Sequence, residues 1–204
     1  MSNIYDGKKL ARCFEVASAT WREIDALTQV IKQMLEIQLN KNKFRHIRMK
    51  RTWCNDETDW IGASVAECFG LIPPKNKTPK SYLGFQISVL GDGMEIAGEP
   101  LVHFVHWRDI PLDLNDAYVG FPLDQDCEHQ VESERLIVWP GDGQSEWLFS
   151  IRLTAINNEV DVKMIVDAMM ALLHGNPADQ ALPSDISGLV RYRKEGEDLK
   201  VIEM

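Results

Sequence analysis

The stretch Ser81–Trp107, SYLGFQISVLGDGMEIAGEPLVHFVHW, decides the fold. From Leu83 to Val89, apolar side chains alternate with small or polar ones, which is the pattern of a β-strand with one face in a core. Gly91-Asp92-Gly93 then predicts a turn, because glycine tolerates a positive φ. Residues 101–107 are rich in β-branched and aromatic side chains and predict a second strand. The stretch therefore predicts the centre of an antiparallel sheet.

Helical periodicity precedes this stretch. Residues 10–39 carry apolar side chains three or four positions apart, which is typical of an amphipathic helix. Thr20 and Glu23 fit the capping-box pattern, so a break is predicted at residues 17–20, between a short first helix and a long second one. The long helix is expected to pack across the sheet.

A second helix and further strands are predicted in the C-terminal half. Residues 159–174 have a broad apolar face and follow Asn158, a favourable N-cap. Residues 147–156 alternate as a strand, and residues 189–192 and 199–202 predict a last hairpin. The fold class is therefore α+β: an antiparallel β-meander of four or more strands with both helices packed on it. The side chains expected in the core of the sheet are Leu83, Phe85, Ile87, Val89, Phe149, Ile151 and Leu153.

Length and composition predict one globular domain over residues 1–204. The 204 residues are 45% hydrophobic and 26% charged, as in ordinary folded proteins. No apolar run is long enough to cross a membrane, and the polar N-terminus lacks the apolar centre of a signal peptide. We therefore expect a cytoplasmic protein without a membrane partner. Four cysteines at irregular spacing, Cys13, Cys54, Cys68 and Cys127, are expected to be free thiols, mostly buried.

Motifs for catalysis, cofactors and metals were not found. Neither G-D-G turn extends into a phosphate-binding loop, and no G-x-S-x-G elbow occurs. His103 and His106 stand three apart on a predicted strand, so their rings point to opposite faces and cannot share a metal. Asp124, Asp126 and Glu128 alternate but lack the glycine and distal glutamate of a calcium loop. We expect no catalytic residue, no metal site and no cofactor.

The basic stretch Lys41–Trp53, KNKFRHIRMKRTW, is the sharpest local signal. Six of the 22 lysines and arginines fall between Lys41 and Arg51, although the net charge of the chain is −9. Read as one continuous strand, it places Arg48 and Trp53 on opposite faces. Charges on both faces are typical of a guarded edge strand, while basic and aromatic residues together are typical of a docking surface. The candidate partner-binding residues are Lys43, Phe44, Arg45, Arg48, Lys50, Arg51 and Trp53.

These observations predict a non-catalytic protein that binds another macromolecule, as an adaptor, an inhibitor or a subunit of a complex. The expected partner is another protein that docks on residues 41–53. Three alternatives stay open: an enzyme for a small or phosphorylated substrate with its site in the acidic connection 108–134, a local nucleic-acid binder that uses residues 41–53, and the pairing of two copies of the chain. The net charge of −9 opposes generic binding to nucleic acid or to anionic membranes.

Overall fold

The structure is a computed structural model that describes residues 6–54, 62–94, 98–112, 118–120, 129–139, 146–196 and 198–202. The helices and strands in chain order are α1 Gly7–Lys41, β1 His46–Arg48, β2 Thr52–Cys54, β3 Ser64–Leu71, β4 Ser81–Ser88, β5 Leu101–Arg108, β6 Gln130–Glu132, β7 Leu136–Trp139, β8 Glu146–Arg152, α2 Glu159–Leu173, α3 Ala178–Ala181, β9 Tyr192–Glu195 and β10 Asp198–Val201. Single turns of 3-10 helix cover Gly91–Gly93 and Leu153–Ala155.

One antiparallel sheet of eight strands forms the centre of the molecule. Its order is β1-β3-β4-β5-β8-β7-β6, and β2 also pairs with β3. Both long helices pack on the sheet, so the α+β prediction is confirmed. The strands β3, β4 and β5 pair along their whole length, which explains why Ser81–Trp107 dominates the sequence pattern.

The face of the sheet that carries α1 and α2, here the helix face, is apolar and aromatic. Phe85, Phe104 and Phe149 follow one another across β4, β5 and β8, with the rings of Phe104 and Phe149 stacked 5.1 Å apart. Ile31 and Leu35 of α1 join the same cluster, and all five side chains are buried. Burial of this kind is the main favourable contribution to folding.

The opposite face, here the hairpin face, is covered by β9, β10 and two loop segments. Tyr192 and Leu199 of the hairpin pack on sheet residues such as Val105, together with Leu112 and Val119 from the loops. The Tyr192 amide donates a hydrogen bond to the Glu134 carbonyl at 2.7 Å, which ties the hairpin to the β6–β7 turn. This face also buries polar side chains such as Gln86, His103 and Ser150, and the described part of the helix face buries fewer, among them Glu67 and His106.

Helix α1 is continuous, so the break predicted at residues 17–20 is wrong. The helix begins after Asp6, whose carboxylate accepts a hydrogen bond from the Lys8 amide at 3.1 Å. Thr20 and Glu23 therefore lie within the helix rather than at its start. The stretch contains neither glycine nor proline, so nothing in the backbone interrupts the helix there.

The core predictions hold except at two strand ends. Leu83, Phe85, Ile87, Phe149 and Ile151 are fully buried, as predicted. Val89 and Leu153 are only partly buried because β4 ends at Ser88 and β8 ends at Arg152. The predicted last hairpin is present but begins at Tyr192. The turn predicted at Gly91-Asp92-Gly93 is also present, as a 3-10 helix between β4 and β5.

Candidate functional site

The basic segment forms one edge of the sheet. β1 and β2 lie end to end along β3, with Arg48 opposite Phe69 and Thr52 opposite Ala66. Three residues separate Arg48 from Thr52, whereas two separate Ala66 from Phe69, so one extra residue forms a β-bulge. Within the described ranges, no strand pairs with the outer side of β1 or β2. The predicted edge strand is therefore present, in two short pieces.

The bulge changes which side chains share a face. His46 and Arg48 lie on the helix face, opposite Leu71 and Phe69. Trp53 lies on that face too, because it stands opposite the buried Val65. The prediction that Arg48 and Trp53 point to opposite faces is wrong, since the extra residue shifts the alternation by one.

Arg48 and Arg51 both turn back towards α1. The Nε of Arg48 donates to the Glu36 carboxylate at 3.0 Å, and its Nη2 also contacts that carboxylate. The hydrogen bond from Arg48 holds the pKa of Glu36 below its ordinary value, and the same pairing raises the pKa of Arg48. Arg51 donates to Asp25 at 2.5 Å. These arginines therefore bind the helix to the edge of the sheet.

A buried carboxylate anchors this arrangement. Glu67 of β3 is only 2% exposed and points to the helix face. Its Oε2 lies 2.7 Å from the Lys32 ammonium of α1, and its Oε1 lies 3.7 Å from the Arg51 Nε. A buried charge needs such partners, because desolvation alone would cost several kcal/mol. Much of the positive charge of the basic segment is thus compensated within the molecule.

The start of the segment is held by neutral contacts. Arg45 donates to the carbonyl oxygens of Pro74 and Asn76, at 3.2 and 3.3 Å. Phe44 packs against the core, with its ring 5.6 Å from that of His174. Two more members of the candidate set therefore have structural contacts in addition to any role in binding.

Trp53 is the large aromatic side chain that this edge presents to solvent. It is 46% exposed. Its ring lies 5.3 Å from that of Trp21 on α1, and the Arg51 guanidinium stands 4.2 Å from its centroid. Both contacts limit the orientations that the indole can adopt, since aromatic and cation–π pairs have preferred geometries.

Two lysines on either side of β1 carry the exposed charge. Lys43 follows the end of α1 at a φ of 60°, and its amide donates to the Asn40 carbonyl. Lys50 lies in the bulge, and both side chains are exposed. The structure therefore divides the charged members of the predicted set: Arg48 and Arg51 pair with carboxylates of α1, Arg45 binds loop carbonyls, and the two lysines face water.

A serine–histidine pair, which the sequence did not predict, lies on the hairpin face. The Oγ of Ser150 is 2.8 Å from the Nδ1 of His103, whose Nε2 is 2.7 Å from the Gly93 carbonyl. Both side chains are fully buried, and desolvation lowers the pKa of His103 to about 4. The pair fastens the Gly91–Gly93 turn to the sheet, because the imidazole contacts Ser150 of β8 and the Gly93 carbonyl at the same time. Only the pairing of β5 with β8 brings the two residues together.

The other histidine of β5 lines a cleft on the helix face, as its position three residues away predicts. The cleft has a volume of about 380 Å³ and lies between the end of α2 and strands β5 to β8. Besides His106 its polar lining includes Glu132 and Asn176, and the His106 ring lies 5.7 Å from that of Trp147. Among the described residues that line the cleft there is no serine, threonine, cysteine or lysine.

Several predicted features fall outside the described residues. These are Asp124, Asp126 and Glu128, the turn at residues 141–143, and residues 113–117 and 121–128 of the connection 108–134. Among the residues that are described, no group of three or more histidine, cysteine, aspartate or glutamate side chains could hold a metal ion. Cys68 is buried, as expected, whereas Cys13 is exposed. No helix in the described ranges is long and apolar enough to span a membrane.

Comparison of the chain with protein-family models, with curated proteins and with solved structures finds no match.

Proposed function

We propose that the protein is a non-catalytic binding protein that docks another protein on the β1–β2 edge, with Trp53 at the centre of the contact. One observation carries the proposal: Trp53 is nearly half exposed, yet Trp21 and Arg51 hold it in place. Tryptophan is enriched among the residues that contribute most to protein interfaces. A side chain that is ordered before binding loses less entropy in the complex.

The charge around Trp53 supports a partner with an acidic surface. Lys50 is exposed beside Arg51 in the bulge, and Lys43 is exposed at the other end of β1. Such charges increase the rate of association and orient the partner more than they add to affinity. Because Arg48 and Arg51 are already paired with carboxylates of α1 and β3, the edge is less suited to a phosphate backbone, which favours a protein over nucleic acid.

Variants of the exposed residues test this proposal without removing the ion pairs that join α1 to the sheet. Trp53→Ala and Lys50→Glu are compared with two exposed controls away from the edge, Val160→Ala and Arg193→Glu, in quantitative capture from native extract. The Trp53 variant should lose a partner that wild type and controls retain, with an affinity loss of about 30-fold, as for a residue worth about 2 kcal/mol. The Lys50 variant should bind more slowly, and the difference should vanish at high salt.

Two results would count against the proposal. If all five proteins capture the same set, the edge is only a guarded strand, because neither Trp53 nor Lys50 then contributes to binding. If instead a single-stranded oligonucleotide binds wild type and is lost in the Lys50 variant, the nucleic-acid alternative takes its place. Urea unfolding of each variant shows whether the fold is intact.

A further inference from the structure

A cavity lies between α1 and α2, close to the residue at which α2 begins. The two helices run in the same direction, since Gln38 of α1 contacts Asp167 of α2 and, further along both helices, Asn42 contacts His174. Near the start of α2 a space of about 510 Å³, here the interhelix cavity, is lined by α1, by the connection that follows β8 and by the first residues of α2. Sites for small molecules have volumes of about 300–1,000 Å³, so the interhelix cavity is large enough to hold one.

The walls of the interhelix cavity are mainly apolar. The apolar side chains that line it are Ile24, Leu27, Val30, Leu153, Ile156 and Val162. Ile24 and Val162 are buried, whereas the other four are only partly buried although they pack against the core. Apolar surface that stays accessible within a concavity is typical of a ligand site, because a bound apolar group removes that surface from water.

The opening of the interhelix cavity is acidic. Glu23 and Glu159 line it and are exposed, so they stand where it meets solvent. The hydroxyl of Thr154, another lining residue, donates to the Glu99 carboxylate at 2.5 Å, which adds a third carboxylate nearby. The described lining residues include neither lysine nor arginine. Within the described part of the chain, neither Glu23 nor Glu159 forms an ion pair, so both carboxylates are available to a ligand.

The start of α2 does not turn this opening into an anion site. The side-chain oxygen of Asn158 already accepts from the amides of Val160 and Asp161, at 2.8 and 3.2 Å. A helix start is equivalent to about half a positive charge, whereas Glu159 and Asp161 place two full negative charges in the first turn. The local charge therefore favours a cation.

We propose that the interhelix cavity binds a small organic cation, a molecule with a compact apolar body and a protonated amine. The apolar body fills the space between the two helices, in contact with side chains such as Leu27 and Ile156. The ammonium group stays at the opening and donates its N–H groups to Glu23 and Glu159, since a carboxylate accepts such charged hydrogen bonds most strongly.

This site goes beyond the proposed docking edge and is separate from it. At about 100° per residue, Glu23 points about 200° away from Asp25 on α1. Asp25 pairs with Arg51, whose guanidinium lies over the Trp53 ring. The interhelix cavity and the β1–β2 edge thus lie on different sides of α1, and each can be changed without the other.

Three six-carbon probes that differ only in the head group test the proposal. Hexylammonium, hexan-1-ol and hexanoate are titrated into the full chain at pH 7 and followed by calorimetry. Salt at about 0.15 M screens the diffuse attraction of the net charge of −9. Hexylammonium should bind one per chain with a dissociation constant of about 1 mM, and hexan-1-ol about tenfold more weakly. Hexanoate should show no binding up to about 30 mM, because the carboxylates repel it.

Variants of the lining separate the two parts of the site. Glu23→Gln and Glu159→Gln should each weaken hexylammonium about threefold, and together about tenfold, while hexan-1-ol is unaffected. Leu27→Ala should weaken both probes alike, because it removes apolar wall and leaves the carboxylates in place. Glu15→Gln is the matched control, since it neutralises an exposed glutamate of α1 outside the lining and should bind like wild type. Urea unfolding shows that each variant is folded.

Three results would overturn the proposal. Hexanoate or hexan-1-ol that binds as tightly as hexylammonium would show that the carboxylates do not select the head group. No binding of hexylammonium up to about 30 mM would show that the cavity does not hold an amine. An equal loss in Glu15→Gln and Glu23→Gln would show attraction to the net charge rather than to this site. Partner capture by Trp53→Ala is measured on the other side of α1, so failure of either proposal is distinguishable from failure of the other.

Discussion

The two faces of the sheet are buried to a similar degree but are stabilised by different interactions. On the helix face, Phe104 and Phe149 stack within a cluster of apolar side chains. On the hairpin face the neighbouring positions are Gln86, His103 and Ser150, all completely buried. Adjacent residues of the same strands thus enter two different environments, because successive side chains of a strand point to opposite faces.

The two faces differ in how strictly each position requires a particular side chain. Apolar packing is non-directional, so it tolerates a change of shape when the volume is kept. Buried polar groups require particular partners, because an unpaired donor or acceptor costs the whole desolvation penalty. The helix face should therefore respond to lost volume, and the hairpin face to lost hydrogen bonds and to pH.

The largest effect is expected for lost volume on the helix face. Phe104→Ala should lower the free energy of unfolding by about 3–5 kcal/mol, because it removes a fully buried ring from the centre of the cluster. Phe104→Leu, which keeps most of the volume, should cost clearly less. Urea unfolding followed by tryptophan fluorescence measures both variants. Equal losses for the two would show that shape, not volume, governs this face.

The helix face could be predicted from the sequence because its apolar pattern lies within single strands and within one helix. Leu83, Phe85 and Ile87 alternate within one strand, and the apolar stripe of α1 lies within one helix. The class of fold and the strands at its centre follow from such periodicity alone. The continuity of α1 at residues 17–20 could not be predicted, because the capping-box pattern also occurs inside helices.

The candidate site was predicted in part. The basic segment was recognisable as an edge strand because its charges are consecutive. Its bulge was not predictable, since one extra residue depends on the register with β3, and that register reversed the expected face of Trp53. The partners of Arg51 are 26 positions away in α1 and 16 positions away in β3, so no local pattern indicates them. The Ser150–His103 pair was missed for the same reason.

A pH dependence of intermediate size is expected from the hairpin face. His103 is neutral in the folded protein because desolvation lowers its pKa to about 4 from 6.5. In the unfolded chain the imidazole binds a proton as the pH falls through 6.5, whereas in the folded protein the imidazole stays neutral down to about pH 4. The stability that His103 provides is therefore complete above pH 6.5 and is lost between pH 6.5 and pH 4, by about 3 kcal/mol.

The comparison of wild type with His103→Asn isolates this dependence. Both proteins share the carboxylates that also titrate in acid, so the difference between their unfolding free energies reports the imidazole. The difference should be largest at pH 7 and should shrink steadily towards pH 4. Parallel curves for the two proteins between pH 7 and pH 4 would show that His103 does not resist protonation in the fold.

The smallest effect compares two methionine substitutions on one strand. The side-chain amide of Gln86 on β4 pairs with the backbone of Val119 as a neighbouring strand would. Its Nε2 donates to the Val119 carbonyl at 2.8 Å, and its Oε1 accepts from the Val119 amide at 3.0 Å. Gln86→Met keeps the length of the side chain but leaves both buried backbone groups of Val119 without that partner, which should cost about 1–3 kcal/mol. Leu83→Met, on the helix face of the same strand, should cost less than about 1.5 kcal/mol, because the volume is conserved.

The place where each variant loosens the structure distinguishes the two faces even where the two energies overlap. Amide exchange at Val119 should accelerate in the Gln86 variant and stay unchanged in the Leu83 variant, since only the former releases the loop from the sheet. Equal exchange at Val119 in both variants would show that the loop is held by apolar contacts, and that the two faces differ in composition but not in how they are stabilised.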